Sequence, residues 1–316
     1  MKKMIWRLER YALSLLAVLA LLHAASYTSY SSSTEPPQTF ATPKEAVKAV
    51  IAACKQNDQA ELLNIFGPDG KDIIESGDPS DDTDRRAAFV KLTSQKYKLI
   101  PNPTNSETMI LSIGKEDYPF PVPLVRKAGR WFFDSSAGRQ EILARRIGSN
   151  EMSAIEVCHG YVEAQLEYAQ MHRQSGIPTY AQKILSSPGK QDGLYWEPSK
   201  GAPECDVPKG FADAAIGMSM EKHEPYHGYY FRILTAQGSA ARGGTINYLV
   251  NGSMIGGFAL VAWPAEYGVS GIQTFIVNHE GVVYESHLGA ETSRTAAEMT
   301  EFNPDSSWRP VQSEKP

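Results

Sequence analysis

Pro121-Val-Pro-Leu-Val-Arg-Lys-Ala-Gly-Arg-Trp-Phe-Phe-Asp134 holds two short apolar runs, with Lys127-Ala128-Gly129 between Val125 and Trp131. Small residues and a glycine joining two β-prone runs predict a hairpin. Tyr97–Ile100 and Thr108–Ile113 upstream have the same character and are set off by Asn-Pro and Gly-Lys turns. The region therefore reads as an antiparallel meander. Tyr118-Pro-Phe-Pro-Val-Pro123 suits its edge, where a proline withholds no ladder donor. The period before the meander is helical. Thr42 is placed to cap, Pro43 suits the first helical position, and Glu45 can complete a capping box. Ala46, Val47, Val50, Ile51 and Cys54 then recur at three- and four-residue spacing, which buries one face. Asn57-Asp58 ends this helix and caps a second through Leu62, Leu63 and Phe66, which Gly67-Pro68 breaks. A third helix is expected from about Asp84 to Gln95. Helices followed by an antiparallel meander give an α+β fold with the helices on one sheet face.

The second half repeats this order. Helical character runs from Ser136 to about Gln174, with an interruption expected at Gly148-Ser149-Asn150-Glu151. Ile155, Cys158, Tyr161, Val162, Gln165 and Tyr168 or Ala169 form its apolar stripe, while Glu156, Glu163, Glu167 and Gln170 fall on the solvated side. A proline-punctuated stretch follows, with a short helix near Tyr180–Leu185. A second sheet is expected from Tyr229–Thr235, Thr245–Val250, Phe258–Trp263, Thr274–Asn278 and Val282–Ser286. Asn278-His279-Glu280-Gly281 reads as a tight turn, and a helix near Ser293–Phe302 closes the pattern.

Residues 1–26 have the layout of a secretory signal peptide. Lys2, Lys3, Arg7 and Arg10 precede the apolar run Tyr11–Ala25, and Ala24-Ala25-Ser26 offers small residues for cleavage after Ser26. The apolar run of 15 residues falls short of the roughly 18–20 that span a bilayer. An uncleaved inner-membrane anchor is the alternative. No cysteine follows at once, so no lipid attachment is indicated. Residues 27–41, rich in Ser, Thr and Pro, read as a flexible spacer. Removal of residues 1–25 takes the formal net charge from −5 to about −8. With no basic cluster left, a nucleic-acid partner is not expected. The segmentation is therefore signal 1–26, spacer 27–41, first α+β domain 42–135, helical connector 136–149 and second α+β domain 150–310.

Three cysteines cannot all pair within one chain. Cys54 and Cys158 lie in helical patterns and suit buried thiols, whereas Cys205 sits in a turn-rich stretch that suits a single bridge. Cys158 and His159 point to different sides of a helix, so no nucleophile–base pair is read there. His223-Glu-Pro-Tyr-His227 has the spacing of the zinc-protease H-E-x-x-H, which needs both imidazoles on one helical face. Pro225 opposes that geometry, and it disfavours a helical Glu224 before it. His223 and His227 remain only a weak alternative metal pair. No metal or cofactor is assigned, and no catalytic residue. Tyr226, Tyr229, Tyr230 and Phe231 crowd six positions and suit a carbohydrate or peptide surface, or else core and interface packing.

Several stretches resemble an uncharacterised family of exported bacterial proteins known only as a domain of unknown function. They include Thr42-Pro-Lys-Glu-Ala-Val, Phe66-Gly-Pro-Asp, Trp131-Phe-Phe-Asp, Glu141-Ile-Leu-Ala-Arg-Arg-Ile-Gly148, Tyr226-His-Gly-Tyr-Tyr-Phe-Arg232 and Gly257-Phe-Ala-Leu-Val-Ala-Trp-Pro264. That likeness implies no activity. Residues 42–134 also resemble a nuclear-transport-factor-2-like cone, ending in Gly-x-Trp-x-Phe-Asp around Trp131. Residues 150–290 resemble a type IV pilin-like headgroup, with Asn150-Glu151-Met-Ser-Ala-Ile155 opening the helix and Phe275-Ile-Val-Asn-x-x-Gly-Val-Val-Tyr284 in the sheet. About 150 residues precede that helix, so the likeness implies a headgroup used as a module and not a filament subunit. The resulting expectation is an exported, periplasmic or secreted, non-catalytic binding or assembly module of the cell envelope. It would contact another envelope protein through Tyr226, Tyr229, Tyr230 and Trp131. The competing expectation is a periplasmic hydrolase or small-ligand-binding protein with a pocket in the N-terminal cone.

Overall fold

The computed structural model describes residues 36–75, 79–174, 176–196 and 225–312, together with Ala212. The stretch read as a signal peptide, most of the stretch read as a spacer, Cys205 and His223 lie outside the described residues. The chain is α+β, with helices and two five-stranded antiparallel sheets. It divides into two compact units, residues 1–144 and 145–316.

In the first unit, α1 (Pro43–Gln56) starts where Thr42 Oγ1 accepts the Glu45 N–H at 3.2 Å. The Glu45 carboxylate reaches back to the Ala41 N–H at 3.2 Å, a capping box shifted by one residue. Asn57 ends the helix in the left-handed region at φ 53°. Asp58 then caps α2 (Gln59–Phe66), accepting the Glu61 N–H at 3.0 Å. After a short helical turn, α3 (Pro79–Gln95) leads into the sheet. Its strands are β1 (Tyr97–Asn102), β2 (Asn105–Ile113), β3 (Tyr118–Pro119), β4 (Leu124–Lys127) and β5 (Arg130–Phe133). The order is β1-β2-β4-β5, with β3 paired to β2. Ala128 and Gly129, at φ 51° and 77°, make the two-residue turn between β4 and β5. β4 begins only at Leu124, because Pro121 and Pro123 have no N–H to give a ladder. Val47, Val50, Leu62, Ile65 and Phe66 from the helices share one core with Leu111, Leu124 and Phe133 from the sheet.

A single helix, α4 (Ser135–Met171), runs through the boundary between the units. The interruption expected at Gly148–Glu151 does not occur. The polar residues that looked like a new cap are used otherwise. Asn150 Nδ2 donates to the Ser270 carbonyl at 2.8 Å, and the Glu151 carboxylate accepts the N–H groups of Ile272 and Gln273. The 136–149 connector is therefore part of one continuous element. Its buried face is also rotated from the expected stripe. Cys158, Tyr161, Gln165 and Ala169 of that stripe are buried, and Ala154, Val157 and Ala164 join them on one side, whereas Ile155 and Val162 on the other are half-buried. Glu156, Glu163, Glu167 and Gln170 are exposed as read from the sequence.

The second unit is built on β6 (Tyr229–Leu234), β7 (Ala259–Pro264), β8 (Thr274–Asn278), β9 (Val283–Ser286) and β10 (Arg309–Pro310). Their order is β10-β9-β8-β7-β6, all antiparallel. Every residue of β8 is buried, so both faces of the sheet are covered. Ala154, Val157, Cys158, Tyr161 and Ala164 of α4 share a core with Phe231, Phe258, Leu260 and Phe275. On the other face, α5 (Thr292–Glu298) ends against Arg232, whose guanidinium donates to the carbonyls of Ala296, Ala297 and Met299. Those carbonyls are among the unsatisfied acceptors of a helix C-terminus, and the cation also suits its dipole.

Two expectations fail here. No helix forms over 180–185, because Tyr180 bridges to Met254 and Leu185 bridges to Tyr195. The expected strand Thr245–Val250 is split around buried Tyr248, whose N–H bonds the Thr235 carbonyl and whose hydroxyl bonds Gln237. Its halves pair with Ala236–Gln237 and Ser253–Met254, outside the main sheet.

Candidate functional site

The aromatic cluster read from the sequence lies at one end of the second sheet, in three consecutive layers of chain. The first is the turn that enters β6. Tyr226 and Tyr229 exchange both backbone hydrogen bonds, at 2.9 and 3.0 Å, around His227 and Gly228 at φ 44° and 71°. Gly228 is also a close approach, since a Cβ there would lie 2.6 Å from the Ser270 Cβ.

The second layer is the 264–273 loop after β7, and it is tied from several sides. Ala265 N–H donates to the Gly228 carbonyl at 2.8 Å, and Glu266 N–H to Ser270 Oγ at 3.0 Å. The start of α4 holds the far end of the loop through Asn150 and Glu151, with Glu151 Oε1 2.9 and 3.0 Å from the Ile272 and Gln273 nitrogens. The Tyr229 hydroxyl donates to the Gln273 carbonyl at 2.9 Å. Burial pushes the Glu151 carboxyl above its ordinary range; the two N–H donors oppose this and the nearby Glu285 charge adds to it. Glu285 itself pairs with Arg309 at 2.8 Å. Burial likewise pushes the Tyr229 phenol far up, so it stays a neutral donor.

The third layer is His287, just past β9. Tyr267 stacks on His287 with ring centroids 5.5 Å apart, and its hydroxyl lies 2.6 Å from Nε2. Tyr230 and Trp263 are cross-strand partners with rings 5.9 Å apart. Tyr226, Tyr230, Trp263 and Tyr267 are half-buried, and His227 and His287 are exposed. Half-buried rings held on an ordered backbone suit contact with a peptide or a sugar face.

The sequence-derived residues separate accordingly. Tyr230 lies at this end beside Trp263, whereas Tyr226, paired directly with Tyr229, shares the face of Tyr229 and packs against the same core. Strand alternation turns Tyr229 inward, it is fully buried, and its hydroxyl is spent on the loop. Trp131 belongs to the other unit and is 7% exposed, with the Arg126 guanidinium 5.7 Å from its ring. It packs in the core beside Phe40, whose backbone bonds its own, and is closed to a ligand. His227 occupies a turn and not a helix, and His223 lies outside the described residues. Trp263, Tyr267 and His287 were not singled out from the sequence. They come from separate segments, and only strand register brings them to the same end.

Elsewhere, a shallow cavity of about 270 Å³ is lined by Ile276, Glu298, Met299, Thr300, Glu301, Asn303 and Trp308. Cys54 and Cys158 are free thiols, pushed up by burial to about 11 and about 12, and so protonated at neutral pH. Among the described residues no three His, Cys, Asp or Glu side chains are grouped to hold a metal ion, and no helix is long and apolar enough to cross a membrane.

The model of the family described as "Protein of unknown function (DUF2950)" matches residues 37–311. No curated protein and no solved structure matches the chain. The chain belongs to the DUF2950 family.

Proposed function

We propose that this DUF2950 member is an exported, non-catalytic binding module of the cell envelope, and that the aromatic end of its second sheet is the contact surface. The observation that carries the reading is the set Tyr230, Trp263 and Tyr267 at this end of the sheet, half-exposed on backbone that is hydrogen-bonded in place. Aromatic rings bring large contact area at small entropy cost, and a pre-ordered loop avoids the cost of ordering on binding. The signal-like layout of residues 1–26 supports the location. The order of the second unit, a long helix and then an antiparallel meander, supports its reading as a pilin-headgroup-like module. The first unit, three helices and then a meander, is in keeping with a nuclear-transport-factor-2-like domain.

The test is site-specific photo-crosslinking in intact cells, with a benzophenone amino acid placed at Tyr230 and, as a control, at Glu163 on the exposed side of α4. A discrete envelope-protein adduct from position 230 and none from 163 is expected. Equal adducts from the two positions, or full-length chain retained in the cytoplasm with residues 1–26 attached, would defeat the reading.

A further inference from the structure

The cavity of about 270 Å³ at the end of α5 lies wholly within the second unit, and its walls differ in character. Its floor is Ile276, fully buried in β8. Met299 and Trp308, both half-buried, add a thioether and an indole. Glu298, Glu301 and Asn303 bring polar groups. The volume is just under the roughly 300–1,000 Å³ of small-molecule sites, so it suits a ligand of few heavy atoms. Backbone and side-chain bonds hold the walls in place. Glu301 and Phe302 pair as a parallel strand with Ala236 and Gln237. The Trp308 N–H donates to the Asp305 carbonyl at 3.0 Å, and Asp305 Oδ1 accepts from the Ser307 N–H and Oγ at 2.8 and 2.6 Å. Ser286 Oγ donates to the Ser307 carbonyl at 2.9 Å, which ties the turn carrying Trp308 to β9. A site ordered in advance adds little ordering cost to binding.

Two of the polar groups converge as acceptors. A Cβ at Gly238 would lie 2.5 Å from Asn303 Oδ1 and 2.6 Å from Glu301 Oε1, so both oxygens crowd one point over that glycine. Asn303 Oδ1 accepts the Ala240 N–H at 2.9 Å, and an amide oxygen has a second lone pair. The cations on neighbouring segments are committed elsewhere. Arg232 donates to the carbonyls of Ala296, Ala297 and Met299, and Arg309 pairs with Glu285 at 2.8 Å. Arg294 reaches Glu298 only at 3.8 Å, with both side chains mostly exposed, a contact of little strength. Converging oxygens ask for a ligand that donates hydrogen bonds. A carboxylate and an indole favour a donor that is cationic.

We infer that this cavity binds a small free primary amine in its ammonium form. The three N–H donors of the head serve Glu301 Oε1 and Asn303 Oδ1, with the Glu298 carboxylate adding charge at the rim. A short hydrocarbon body lies against Ile276, Met299 and the Trp308 ring, where it leaves water. The lysine side chain of a partner carries the same head, and the test separates the two sources.

The test is proton–carbon NMR on the full chain, with n-butylammonium chloride as the probe and n-butanol as its neutral counterpart. Saturable shifts of the Ile276 and Met299 methyl groups and of the Trp308 indole are expected with butylammonium, with binding about tenfold or more tighter than that of butanol. Glu301→Gln keeps the shape of the wall and removes its charge. It should weaken butylammonium about tenfold and leave butanol unchanged. Glu163→Gln, on the exposed side of α4, should alter neither. The Leu260 methyl groups, in the core with α4, report that both variants stay folded. Absence of a saturable shift at the three cavity residues would overturn the assignment. So would equal binding of butanol and butylammonium, or binding that is indifferent to Glu301→Gln. Nα-acetyl-lysine N-methylamide binding about tenfold tighter than butylammonium would assign the cavity to a partner's lysine, and would overturn the free amine.

Discussion

Replacement of Glu151 separates two roles that its carboxylate combines. Oε1 accepts the backbone N–H groups of Ile272 and Gln273, and burial with the nearby Glu285 charge disfavours the ionised form of the same group. Glu151→Ala removes the acceptor and leaves both donors without a partner. Hydrogen bonds to a charged group contribute about 1.5–3 kcal/mol each, and relief of the buried charge offsets part of that. A net cost of about 2–4 kcal/mol follows for the 266–278 region. Glu151→Gln keeps an acceptor oxygen and discards the charge, so it should change stability by less than about 1 kcal/mol at pH 7. The pH dependence has a definite sign. A carboxyl whose folded pKa is raised contributes stability that is full below its unfolded value near 4.3 and is lost as pH rises through the folded value. The parent chain should therefore lose stability relative to Glu151→Gln on going from pH 4 upward, until the folded pKa is passed. Hydrogen-exchange mass spectrometry on peptides covering 266–278, at three pH values, measures the local opening free energy. Equal costs for the Ala and Gln variants, or a pH trend of opposite sign, would refute the argument.

Other substitutions check the packing of the second unit. Tyr161→Ala should cost about 3–5 kcal/mol, because the ring is fully buried and its hydroxyl bonds the Ala259 carbonyl; Ile155→Ala, half-buried, should cost about 1–2, and Glu163→Ala within about 0.5. Urea midpoints for the three variants give the ranking, and an Ile155 effect equal to that of Tyr161 would contradict the rotated face. Arg232→Ala removes the donor shared by the Ala296, Ala297 and Met299 carbonyls, of which Ala296 keeps only the long Met299 N–H bond, and should cost about 2–4 kcal/mol, with faster amide exchange confined to 292–302. Gly228→Ala meets both a positive φ and a 2.6 Å approach to Ser270, so it should cost at least about 1–3 kcal/mol and shift the Tyr230 and Trp263 resonances.

Local chemistry made much of the fold readable from the sequence. Thr42, Asp58, Gly67 and the Lys127-Ala128-Gly129 turn act within a few residues of themselves, and their roles carry through to the structure. Asn150 and Glu151 misled because the same side chains that cap helices also bond distant loops, and here Ser270 and Gln273 compete successfully for them. Tyr248 misled in another way. Its ring breaks an apparent strand in order to reach Gln237 in the core. The site was half legible. Tyrosines crowd visibly at 226–230, but alternation alone does not say which face of β6 is outward until the helix is placed. Trp263, Tyr267 and His287 carry no shared local signal, since their proximity is a matter of strand register.

The clasp between the start of α4 and the 270–273 loop joins residues 120 to 122 positions apart. At about 5–20 residues per second, a ribosome needs about 6–24 s to travel from one to the other. For that interval Asn150 and Glu151 exist without the backbone groups that engage them. The aromatic end is thus among the last parts of the second unit to acquire its shape during synthesis. A chain threaded through a translocon before that time would cross with this surface still unmade.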